Sequence, residues 1–182
     1  MADTWFDTLV DKLIRQPFSG GAGPSPNAYS RITQTPITID PKLETQGRSG
    51  EYWPDINSIR ISPNYTLPSA TGQFSQIPHE SAHAIFSQSP ELKEPSNLAA
   101  LAKLVPSTQR NLILGSPVYK PLPDYGSPEM LVDEGLGHSI GDSDATKYVT
   151  EVARRIKDPK LREQLLRLHM NAIQARRTSA IQ

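Results

Sequence analysis

The chain has 182 residues, with 19 Lys and Arg against 19 Asp and Glu, so no overall field draws it to nucleic acid or to a membrane surface. Its 36% hydrophobic content suits one compact domain with trimmings, and the lack of cysteine excludes disulfides and thiolate ligands, leaving His and carboxylate for any metal site. No stretch approaches membrane-spanning length, and Met1 to Asp7 lacks the basic start and apolar run of a secretory signal, so a cytoplasmic protein, or one packaged in a virion, is expected.

Asp3 to Arg15 reads as a helix capped by Asp3, with Trp5, Phe6, Leu9, Val10, Leu13 and Ile14 on one stripe. Pro17 to Pro36, rich in Gly, Pro and Ser, reads as an extended arm or linker. A strand is expected at Ile37 to Asp40, and a hairpin at Gly50 to Ser62, where two extended runs flank Pro54-Asp55-Ile56-Asn57. The next helix should be capped by Ser75, hold Pro78 in its first turn, and stop around Gln88 to Ser89 because Pro90 follows. Ser96 to Val105 looks helical. Pro106 to Ser127, with its prolines, looks loopy and suits a lid or wall of a cleft. Ser127 and Pro128 give a strong start signal for a helix running to Ile140. Two C-terminal helices are expected, one from Ser143 through Lys157 and one from Asp158-Pro159 toward Thr178. The organisation expected is an N-terminal helix and arm (1–36), a central domain (37–142) and a C-terminal helical extension (143–182).

The chemistry concentrates in His79-Glu80-Ser81-Ala82-His83. Half of the four histidines fall in this one turn. On a helix, His79 and His83 leave the same face and can grip one ion, while Glu80 sits one position round, where it can hold a water. Two histidines do not complete a catalytic zinc site, which takes three protein ligands. Phe86 and Ser89 stand where the extended metzincin pattern requires glycine and a third histidine, so that class is excluded. The helix beginning at Ser127 supplies a better donor, since Glu134 lies about two turns into it.

Here the chain resembles the gluzincins, whose third ligand is a glutamate on a later helix, in a pattern Glu-x-x-Ala that tolerates another small residue at its end. Glu134-Gly135-Leu136-Gly137 matches that pattern, and Asp133-Glu134-Gly135 is similar to its acidic opening. The resemblance implies an α+β, zincin-like fold: a small sheet or hairpin, the H-E-x-x-H helix, the glutamate helix and C-terminal helices. It implies Zn2+ held by His79, His83 and Glu134, with Glu80 as general base. His138 stands where thermolysin-like members carry an aspartate that hydrogen-bonds a ligand histidine. It could stabilise the oxyanion, donate a proton to the leaving amine, or itself be the third ligand; a plain surface histidine is the bland alternative. Tyr125 and Tyr119 are further candidates for the oxyanion. The hairpin is similar to that of small zincin domains of phages, in which Ser58 to Ser62 would be an edge strand pairing with an extended peptide.

The function expected is a zinc metallopeptidase acting on a peptide or protein substrate. The alternative is a structural or assembly component of a phage virion, docking through residues 1–36 or the basic C-terminal helix. Pro121 to Thr146 holds six acids and no Lys or Arg, which suits a cation site. Glu151 to Gln182 holds eight Lys and Arg against three acids, which reads as a solvated face before a nucleic-acid contact.

Overall fold

The computed structural model describes residues 26–65 and 76–179; the expected helix at Asp3 to Arg15 and the cap Ser75 lie outside them. The described residues form an α+β arrangement, a small mixed sheet followed by six helices. The first part contains α1 (Pro26–Thr33), β1 (Ile37–Ile39), a short α2 (Lys42–Thr45), β2 (Gly50–Trp53) and β3 (Ser58–Ile61). Then come α3 (Ile77–Ser87), α4 (Pro95–Leu104), α5 (Ser107–Gly115), α6 (Pro128–Ser139), α7 (Thr146–Arg155) and α8 (Pro159–Ser179). Among the described residues no helix is long and apolar enough to cross a membrane.

The hairpin forms as its turn chemistry dictates. Pro54–Ile56 make one 3-10 turn, and Asn57 takes the left-handed conformation (φ 44°) that reverses the chain. The strand order corrects one expectation, however. β3 lies in the centre, parallel to β1 on one side and antiparallel to β2 on the other, with Glu51 opposite Arg60 and Ile37 opposite Ile59. Both edges of β3 are therefore occupied, and among the described residues the unpaired edge beside the cleft belongs to β2.

Residues 26–33 are likewise no extended arm. α1 buries Tyr29 and Thr33 against α3 and α8, and that packing outweighs the local turn signals. α5 is a second departure, since prolines at 106 and 117 bracket a helix instead of forbidding one. Elsewhere local signals hold. Ser127 Oγ accepts from the Met130 N–H at 3.1 Å, with Pro128 as the first helical residue. α3 begins one residue before Pro78, with Gln76 at its cap, and closes at Gln88. Asp142, not Ser143, caps the turn that leads into α7.

α3 is the hub, packed against α6, α8, α1 and the β2–β3 pair. Ile77, Ala82, Ile85 and Phe86 on α3 share one core with Ile59 and Ile61 of the sheet, Val132 and Leu136 of α6, and Leu165 and Leu168 of α8. Each fully buried aliphatic side chain contributes about 1.5–3 kcal/mol. The helices after Gly141 are thus built into the same core as the sheet.

His169 joins α8 to this core. It is 1% exposed; its Nδ1 accepts from the Gly141 N–H at 3.1 Å and its Nε2 meets the Thr146 hydroxyl at 3.1 Å. Because the Thr146 hydroxyl donates to Ser143 O, the network assigns the proton of neutral His169 to Nε2. Burial, reinforced by the Arg176 guanidinium, holds its pKa down to about 4. Between pH 6.5 and 4 the unfolded chain therefore binds a proton here that the folded chain refuses, so stability falls as pH drops through that window. Urea unfolding of wild type and His169→Gln over this range should show a shallower acid-side loss in the variant; equal slopes would contradict the assignment.

Candidate metal centre

α3 and α6 lie side by side and bring the sequence-marked residues together. His79 Nε2 is 3.0 Å from His83 Nε2 and 3.6 Å from Glu134 Oε2, and His83 Nε2 is 3.9 Å from the same oxygen. His138, one turn after Glu134, places Nε2 4.0 Å from that oxygen, and its ring centroid lies 4.7 Å from that of His79. His79, Glu134 and His138 form a group that could hold a metal ion. His83 lies beside this group, within 3.9 Å of His79 and Glu134.

The close approach depends on Gly137. A Cβ there would meet His79 Cε1 at 2.8 Å and Nδ1 at 2.9 Å, so any side chain would displace the imidazole. This is the physical content of the small residue in Glu-x-x-Gly: it lets the first helix lay its histidine flat on the second. Gly50 does the same on the other wall, where a Cβ would stand 2.8 Å from Gln76 Cγ and 3.0 Å from Glu80 Cγ. The edge strand can therefore lie directly beside Glu80.

Sequence reasoning missed Asp133, whose Oδ1 lies 2.7 Å from His83 Nδ1. A carboxylate on Nδ1 fixes the ring and turns Nε2 toward the donor cluster, the usual support of a metal-binding histidine. Its only sequence signal was its place beside Glu134, and neighbours on a helix point about 100° apart. Glu80 is 6% exposed and accepts from Gln76 Nε2 at 3.1 Å. Tyr119 reaches in from the segment between α5 and α6, donating to Glu134 Oε2 at 2.8 Å and lying 3.0 Å from His138 Nε2. The Tyr125 hydroxyl is spent elsewhere, on Leu114 O at 2.6 Å.

The electrostatics favour a cation. Burial alone would keep His83 neutral, but the carboxylates of Asp133, Glu134 and Glu80 outweigh it and hold its pKa up to about 10. Burial likewise opposes ionisation of Glu134, yet His79, His83 and the Tyr119 hydroxyl bring it down to about 2. His138 is different: burial and the charge of His79 lower it to about 4, so it stays neutral with a lone pair to offer. Burial and the Glu134 carboxylate raise the Tyr119 pKa and keep its proton on. The acidic cluster thus draws one positive charge onto His83, and a dication would supply that charge and displace the proton.

Imidazole and carboxylate are donors that a divalent cation such as zinc accepts. Neighbouring ligands at ~2.0–2.1 Å in a tetrahedral shell stand roughly 3.3–3.4 Å apart. The three separations among His79, His83 and Glu134 lie within about half an ångström of that edge. His79, Glu80, His83, Asp133 and Glu134 line a cleft of about 650 Å³, walled by Gly50 and Tyr52 of β2, Phe86 of α3 and Val118 beside Tyr119. Comparison with family models, with curated proteins and with solved structures returns no match.

Proposed function

We propose that the chain is a zinc-dependent metallopeptidase in which His79, His83 and Glu134 hold the ion and Glu80 is the general base. What carries the reading is that a buried glutamate one residue after the first histidine lines the same cleft as three converging donor atoms. Held there, zinc would supply Lewis acidity toward a peptide carbonyl and toward water near neutral pH. Glu80, steadied by Gln76, takes the proton of the attacking water and returns it to the departing amine. Asp133 keeps His83 in orientation. Neutral His138, one turn after Glu134, is the donor at hand for charge developing on the carbonyl oxygen. β2 offers the free edge on which an extended peptide can align.

One observation favours a second reading, a structural zinc in an assembly component. His138 lies close enough to Glu134 to act as a fourth ligand, and a closed four-ligand shell is the mark of a structural site. Docking would then fall to residues 1–25, since α1 is packed into the body. The cations of α7 and α8 are poor candidates for a nucleic-acid face. Arg154 and Arg155 pair with Glu151, Lys157 with Glu94 and Arg167 with Glu163.

The test is metal analysis followed by a broad peptide library. One zinc per chain and chelator-sensitive hydrolysis are expected. A protein with one zinc that cleaves nothing would favour the structural reading, and a protein that retains no zinc after zinc-supplemented purification would refute both.

A further inference from the structure

The geometry points to Tyr119 as an additional, displaceable ligand of the same metal centre, an inference that rests on the metal-binding reading above. Its hydroxyl oxygen stands 2.8 Å from Glu134 Oε2 and 3.0 Å from His138 Nε2, two atoms of the donor cluster. Those distances are hydrogen-bond distances, and they also lie within about 0.1 Å of the spacing of two donors at right angles in one coordination shell, roughly 2.9 Å for bonds of ~2.0–2.1 Å. The hydroxyl therefore sits where a further ligand belongs, on the side of Glu134 shared with His138. Only the proton it carries distinguishes the two roles; coordination sends that proton to solvent.

The setting suits a ligand that leaves. Tyr119 comes from a stretch of turns between α5 and α6, not from a helix, and among the described residues its neighbour Val118 is left 73% exposed. Val118 and Tyr119 both line the cleft across from β2. A peptide lying along β2 with its carbonyl directed at the donors would compete with this hydroxyl for the same space. Swinging the segment outward clears the position, and its return closes the centre against water and adventitious ligands. In this design the wall of the cleft regulates access to the ion through one side chain.

Copper(II) makes the contact visible, because phenolate bound to copper gives an intense charge-transfer band in the visible region that imidazole and carboxylate do not. The full chain loaded with one equivalent of copper(II) should show that band. Tyr119→Phe should lose it while still binding copper, and Tyr125→Phe, which alters a tyrosine bonded to Leu114 O, should keep it. Wild-type protein that binds copper without the band, or Tyr119→Phe that retains it, overturns the inference and leaves the metal site standing. Failure of the wild-type chain to bind copper or zinc at all overturns the metal reading itself.

Discussion

Replacing Glu80 by glutamine is expected to leave the fold and the zinc content unchanged and to lower peptide hydrolysis by a factor on the order of 10²–10⁴. The side chain is buried beside Gly50 and held by Gln76, and an amide of the same shape can keep that contact by presenting its carbonyl to the Gln76 amide. What the amide cannot do is accept a proton from water. Glu80 is also no member of the donor group that would hold the ion, so metal affinity should not follow activity down. Steady-state hydrolysis, zinc stoichiometry and thermal melting measured on one preparation check all three statements. Full activity in Glu80→Gln would remove Glu80 from the mechanism.

The second large effect separates Glu134 from His138. Glu134→Ala removes the oxygen around which His79, His83 and Tyr119 are arranged. Its zinc affinity should fall by more than the ~10–100-fold typical of losing a supporting group such as Asp133. His138→Ala should keep zinc and slow turnover, because His79, His83 and Glu134 still converge without it. Competition against a chromophoric chelator reads both affinities. The opposite pattern, zinc lost with His138→Ala and kept with Glu134→Ala, would make His138 the ligand.

The parts of the site that local chemistry dictates were legible in the sequence. The H-E-x-x-H turn, the Ser127-Pro128 helix start and the Pro-Asp-Ile-Asn turn each depend on a few consecutive residues, and each lies where the pattern placed it. What stayed hidden depends on how distant segments meet. Strand order is one such property, since nothing in Ser58 to Ile61 announces that β1 will pair with its far side. α1 is another, a helix whose Pro-rich approach reads as a linker until Tyr29 and Thr33 find the α3–α8 surface. Asp133 and Tyr119 belong to the same category. Asp133 acts across the groove between α6 and α3, Tyr119 reaches α6 from a loop, and the choice of Tyr119 over Tyr125 follows from the path of that loop, which has no periodicity to read.

The convergence of α3 and α6 has a consequence for durability. His83 and Asp133 meet across 50 residues of chain, and an ion gripped by both helices would tie that long loop shut in a protein without a single cysteine. Such a tie works as a removable staple, adding to the folding free energy by RT ln(1 + [metal]/Kd), about 4 kcal/mol at a thousandfold excess over Kd. Metal supply would then set the lifetime of the chain against proteolysis as well as its chemistry.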